Sequence, residues 1–234
     1  YIKAIRAESD IKIIYNGVNT DYYSPNQKNK KNQVNKSTVV YVGRISAEKG
    51  VIELVKAWIK VVSVFPDSEL VLAGRDSKYA DQKSTIEVLK KLLPESVQNT
   101  VQFKGFLKSD KIKKLFNDAT ICVFPSHREA FSLVVLEAMA MEKPVICSKI
   151  GSFYEIIEDG INGVLCNQKD SDDISRLIIK LLSDIGLQAS IGLNARRSVL
   201  DKFSLEKTSE ENVQYYKQCI KEYSLLPKNT EYSL

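Results

Sequence analysis

The sequence predicts an α/β domain: a doubly wound parallel sheet with helices on both faces. Three observations carry that prediction. Short apolar runs alternate with segments of helical period at least five times. The runs are apolar almost continuously, as strands covered on both faces must be. Glycines, cations and carboxylates fall just after the runs, where open sheets of this class bind ligands.

Each element has a local reason. Thr38–Val42 is a β-branched run that stops at Gly43. Val51, Ile52, Leu54, Val55, Trp58, Ile59 and Val62 follow at helical spacing. Glu69–Ala73 is a second short strand, stopped at Gly74. Ser84–Leu93 reads as a helix ended by Pro94, and Val101–Phe103 as a strand before Gly105. Asp110–Asn117 is a helix, and Thr120–Phe124 a buried strand ending at Pro125. Ala130–Met141 is apolar almost all round and reads as a buried helix. Pro144–Cys147 and Val164–Cys166 are strands, with a short helix at Phe153–Ile157 between them. Three helices follow at Ser171–Leu182, Gln188–Leu200 and Leu205–Tyr223, then a polar tail from Ser224. Residues 1–37 read differently: an apolar strand Ile11–Tyr15, a turn at Asn16-Gly17 and a polar linker to Ser37.

Composition narrows the function classes. Of 234 residues, 44% are hydrophobic and 27% charged, enough apolar side chain for a full core. No run reaches the ~18 apolar residues of a membrane span, and no signal-peptide pattern opens the chain. The net charge of +5 is mild, with no basic helix or face of the nucleic-acid-binding kind. The one dense basic patch, Lys28, Lys30, Lys31 and Lys36, reads as a solvated loop or a weak contact with an anionic membrane surface. Cys122, Cys147, Cys166 and Cys219 are far apart, which fits free thiols in a reducing compartment better than a zinc site.

The chemistry should lie on the loops at the carboxyl edge of the sheet. Gly43 to Gly50 places Arg44 and Lys49 between a strand and a helix start, a forked and a point cation suited to phosphate oxygens. Glu137 sits mid-helix among apolar residues and needs hydrogen-bond donors there: a ribose diol, a nearby Arg or a backbone amide. Glu129 lies eight residues earlier, about 12 Å away if the stretch is all helix. That exceeds the roughly 5 to 9.5 Å of a glycosidase acid–base pair. The two carboxylates therefore read as two ends of one extended ligand such as a nucleotide sugar. The amides of Phe131, Ser132 and Leu133 would meet phosphate between them at the helix's positive end.

The stretch from Glu129 to Ala140 closely resembles the E-x7-E helix of family 4 glycosyltransferases with the GT-B fold. Gly43 to Gly50 resembles their G-R-x4-K-G phosphate loop, and Asn16-Gly17-Val18-Asn19 the segment that opens their second domain. Val101 to Gly105, Phe124-Pro125-Ser126 and Lys143 to Ile146 fit in the same order, so the resemblance covers roughly residues 11–220. It implies a Rossmann-like half of a GT-B enzyme. Gly43, Arg44 and Lys49 would hold the donor diphosphate, and Glu137 the ribose. Glu129, given the catalytic role, would contact the donor sugar, with Ala130, Phe131, Ser132 and Leu133 around it. Backbone at Phe106 and Leu107 would meet the base. Such enzymes are retaining and work without cofactor or catalytic metal on UDP-sugars or GDP-sugars. Ser132 and Ser152 stand where the family often has Gly, which leaves the donor open.

The implied organisation is a linker and remnant of a first domain at 1–37, a nucleotide-sugar-binding domain at 38–203, and a C-terminal helix with a loose tail at 204–234. An acceptor glycan or lipid-linked glycan would be held by a first domain outside this chain, leaving Leu205, Tyr215 and Tyr216 partly exposed. The expected setting is cytoplasmic, at or near the inner membrane face, in cell-envelope or capsular polysaccharide synthesis. The alternative is a standalone donor-binding subunit completed by a separate acceptor-binding chain.

Overall fold

The computed structural model describes residues 12–26, 37–79 and 84–224. The basic patch Lys28, Lys30, Lys31 and Lys36 lies outside these residues, as do Ile11 and the tail beyond Ser224. Six parallel strands form one sheet: β1 Thr38–Val42, β2 Glu69–Ala73, β3 Val101–Gly105, β4 Ile121–Phe124, β5 Val145–Ser148 and β6 Val164–Cys166. Their order is β3-β2-β1-β4-β5-β6. The chain winds outward from β1 in one direction, then returns to start again at β4. That reversal opens a crevice between the carboxyl ends of β1 and β4.

Both faces of the sheet are covered. Val39 and Tyr41 of β1 join a core with α1 (Val51–Val64), α2 (Thr85–Leu92) and a later helix, α7 (Ser171–Ser183). Val40 and Val42 point the other way, into a core with α4 (Ser109–Asp118), α5 (Leu133–Ala140) and α8 (Ile185–Lys202). This alternation explains the continuous apolar runs, since neighbouring side chains enter different cores. Trp58 is fully buried in the first core and donates its indole N–H to Thr100 Oγ1 at 2.9 Å. Cys122, Cys147 and Cys166 are buried free thiols on β4, β5 and β6. Burial pushes the Cys122 and Cys166 thiols up to about 12, so they stay protonated.

Several boundaries differ from the sequence reading. A short helix α3 (Glu95–Gln98) follows Pro94, and α6 is Gly151–Tyr154, not Phe153–Ile157. Residues 12–17 form no strand, although Val18 makes a single parallel bridge to Ser204. Val18 and Tyr23 are both buried in the second core. The segment is tied there by Val18 N–H to the Phe203 carbonyl (2.9 Å) and by Arg196, whose guanidinium donates to the carbonyls of Tyr23 and Ala140. The last helix, α9 (Leu205–Ser224), leaves Leu205, Val213, Tyr216 and Ile220 exposed, with Tyr215 half-buried.

The largest difference concerns the helix read as Ala130–Met141. It begins at Leu133, with Ser132 as an extended N-cap. Residues 129–131 are held off the helix by tertiary contacts. Glu129 reaches across to Lys49, and Phe131 stacks on Tyr15 at 5.7 Å and packs beside Phe203 at 6.2 Å. The 12 Å helical separation of Glu129 and Glu137 therefore does not apply: only the second half of that stretch is helical.

Candidate active site

The loops after β1 and β4 border the crevice, and they are joined to each other. Gly50 closes the first loop with φ +69, the left-handed region that costs most residues but not glycine. It also passes so near the second loop that a Cβ there would lie 1.9 Å from the Pro125 carbonyl oxygen. The His127 amide donates to the Glu48 carbonyl at 2.8 Å, and His127 Nε2 lies 3.2 Å from Glu53 Oε2. Lys49 Nζ meets Glu129 Oε2 at 2.7 Å, with side chains only 21% and 19% exposed. The loop thus brings together Lys49 and Glu129, and fixes both near the switch point. His127 serves this joint between loops.

Arg44 sits on the same loop but stands apart. Its side chain is exposed and makes no ion pair with a described residue. Its carbonyl accepts the hydroxyl of buried Tyr41 at 2.7 Å. Burial pushes the Tyr41 phenol up; the charge of Glu129 adds to this and that of Arg44 opposes it. Both charged groups therefore act on one hydroxyl under the loop.

Beside Arg44 opens a cavity of about 320 Å³. Gly43, Arg44, Arg75, Phe106, Leu107 and Ile112 are among its walls. Phe106 is 62% exposed, and the Arg75 guanidinium lies over its ring at 4.8 Å. Such a cavity combines flat apolar walls with two cations, a match for an aromatic group bearing negative charge. Sequence reasoning had placed Gly43, Arg44, Phe106 and Leu107 in one site, and the cavity gathers all four. Arg75, which the sequence marks only as following the second strand end, joins them on the cavity wall.

Glu137 and the start of α5 form the third part. No described residue accepts the amides of Phe131, Ser132, Leu133, Val134 or Val135, so five N–H groups remain free at the helix's positive end. Glu137 is half-buried, and burial raises its pKa. The Tyr23 hydroxyl beside the carboxylate opposes that rise. Tyr23 lay in the segment read as linker. The only sequence signal for it was the requirement that a buried carboxylate find a donor. Ala130 lies on the stretch between Glu129 and Phe131.

With this geometry in hand, the family can be decided. A model of the family described as "Glycosyl transferases group 1" matches residues 24–198. The chain belongs to the group 1 glycosyltransferases. It is 34% identical over 219 residues to the uncharacterized glycosyltransferase MJ1607 of Methanocaldococcus jannaschii, covering 90% of this chain and 54% of that protein. It is 32% identical over 182 residues to the capsular polysaccharide biosynthesis glycosyltransferase CapM of Staphylococcus aureus, covering 78% and 46%. Among solved structures, Anabaena Alr3699/HepE in complex with UDP and glucose superposes with a TM-score of 0.78 at 25% identity, over 91% of this chain and 59% of that one. The fold is that of half a GT-B glycosyltransferase. The chain spans about half the length of the relatives it matches.

Proposed function

We propose that this chain is the donor-binding half of a retaining glycosyltransferase, taking a sugar from a UDP-sugar, or secondarily a GDP-sugar, in cell-envelope or capsular polysaccharide synthesis. One observation carries the reading: Arg44 beside an apolar cavity with cationic walls, Lys49, and five free amides at the start of α5 all follow strand ends on the carboxyl edge of one sheet. The base would enter the cavity against Phe106 and Leu107. The diphosphate would lie across Arg44 and Lys49, and the ribose would reach Glu137. Glu129, with the amides of Phe131, Ser132 and Leu133, would hold the sugar. The capsular setting draws on the relative named above, and the uridine preference on the neighbour solved with UDP.

In the proposed reaction the bond from the sugar's anomeric carbon to the diphosphate oxygen breaks, and a bond to the acceptor hydroxyl forms on the same face. The developing diphosphate charge would be met by Arg44, Lys49 and the helix amides, which supply the positive charge without a metal. The acceptor would bind outside this chain. The exposed stripe Leu205, Val213, Tyr216 and Ile220 on α9 suits a further domain, or a separate acceptor-binding chain, packed against it.

Titration calorimetry with UDP, GDP and ADP tests the donor site. We expect saturable UDP binding, weakened about 30-fold in Arg44→Ala and in Glu137→Ala, as loss of charged hydrogen bonds predicts. We also expect no sugar transfer by this chain alone. Absence of binding at millimolar nucleotide, or efficient transfer by the isolated chain, overturns the proposal.

A further inference from the structure

We propose that Arg75 selects the base of the donor, admitting uracil or guanine through a carbonyl oxygen and turning away cytosine and adenine, which carry an amino group in its place. The proposal rests on the donor reading given above and concerns the end of the cavity where the base would lie. It starts from three observations. The Arg75 guanidinium lies over the Phe106 ring at 4.8 Å, on the wall of the cavity. Its side chain makes no hydrogen bond and no ion pair with a described residue. The other side chains of the described lining are apolar, apart from a second cation, Arg44. No side chain on these walls therefore accepts a hydrogen bond.

The backbone holds Arg75 between the loops after β1 and β3. Its carbonyl accepts the Ile45 amide at 2.8 Å, and Gly74 just before it donates to the Gly105 carbonyl at 2.8 Å. A Cβ on Gly74 would lie 1.6 Å from the Gly43 carbonyl oxygen, so these loops close on each other only with glycine there. The nearest carboxylate in the chain is engaged elsewhere. Asp76 accepts from the amides of Ser77 (2.9 Å) and Ile86 (3.1 Å) and from the Ser84 hydroxyl, at the start of α2. Arg75 is thus placed by an aromatic ring and keeps its N–H donors, with no acceptor of its own. A carbonyl oxygen meets such a group with a charge-assisted hydrogen bond. An amino group meets it donor against donor, and both lose water without replacement. Uracil carries the carbonyl at C4, where cytosine has the amine. Guanine carries it at C6 beside the N7 acceptor, the pair that Arg takes bidentately in nucleic acids, where adenine has the amine.

The test is calorimetry on the full chain with UDP against CDP, and GDP against ADP. The wild type should bind UDP about tenfold tighter than CDP, with the same sense for GDP over ADP. Arg75→Leu keeps an apolar contact for Phe106 and removes the donors. Arg75→Gln supplies an amide that can donate or accept. Both should bring the UDP-to-CDP ratio to within about twofold of unity, chiefly by weakening UDP. Arg75→Lys, which keeps charge and donors, should retain part of the preference. A residue that only packs, or that meets the diphosphate, would change UDP and CDP by the same factor and leave the ratio intact. That result, or equal binding of UDP and CDP by the wild type, overturns the selection while the donor site stands. Failure of every nucleotide to bind the wild type overturns the donor reading itself, and the selection with it.

Discussion

Glu129 and Glu137 are eight residues apart, yet the loop and the helix that carry them treat a carboxylate in opposite ways. Glu129 sits on an irregular stretch, keeps some contact with water, and pairs with a cation from another loop. Glu137 sits on a buried helix, with the neutral phenol of Tyr23 beside it. The first arrangement satisfies charge with charge. The second keeps a carboxylate in an apolar place at some cost and leaves it without a counter-ion among the described residues. A buried group with no counter-ion is one that a ligand can still complete. A paired group must first exchange its partner.

Gly50→Ala should have the largest effect, and it should break only the Glu129 side. The new Cβ would fall 1.9 Å from the Pro125 oxygen, at a φ of +69 that alanine disfavours. The two loops must then separate, taking apart the Lys49–Glu129 pair and the His127 amide bond to Glu48. We expect a loss of about 3 kcal/mol in stability by chemical denaturation. UDP binding should fall below detection. The Arg196 bond to the Tyr23 carbonyl lies outside this joint, so that segment should keep its packing in the folded fraction.

Glu137→Gln sharpens the other side, because stability and binding should move in opposite directions. Burial raises the Glu137 pKa, so the folded chain holds its proton to higher pH than the unfolded chain does. Between the ordinary carboxylate value and the raised one, the folded state binds more protons, and stability falls as pH rises. Above that window the ionised carboxylate is a standing cost, which Gln removes. The variant should melt higher than wild type at about pH 7, and the gain should vanish near about pH 3, where both states are protonated. UDP affinity should drop about tenfold, since a neutral amide accepts ribose hydroxyls less strongly. A variant that is less stable at neutral pH would contradict the buried, uncompensated carboxylate.

The strands and the edge loops were legible because their signals are local. β1, β2 and β6 fall on the runs Thr38–Val42, Glu69–Ala73 and Val164–Cys166 that the sequence marks. Gly43, Arg44, Phe106 and Leu107 could be grouped because strand ends in this topology share one edge. The start of α5 could not be placed. Residues 130–132 have helical surroundings in the sequence, and what holds them off the helix is Lys49, Tyr15 and Phe203, each far away in the chain. Tyr23 was hidden for the same reason: its segment is polar, and its burial depends on Arg196 and α5. Residues whose conformation is fixed by distant partners leave no period or cap to read.

The smallest predicted effect is also the least expected one, a gain of affinity on removing a charge. Glu129 pairs with Lys49, with both side chains about one-fifth exposed. A diphosphate that uses Lys49 competes with that carboxylate, so part of its attraction is spent on separating the pair. Glu129→Gln leaves the side chain's shape and frees the ammonium. A partly exposed pair is worth up to about 1 kcal/mol, which corresponds to at most about a fivefold tightening of bare UDP. A sugar-bearing donor should not share the gain, because the same substitution removes the carboxylate proposed to face the sugar. Calorimetry with UDP and UDP-glucose side by side reads the difference directly. UDP tightening while the sugar nucleotide weakens would show Glu129 exchanging one partner for another as the donor enters. Equal weakening of both would mean that Lys49 needs Glu129 to stay in place, and that the pair is structural.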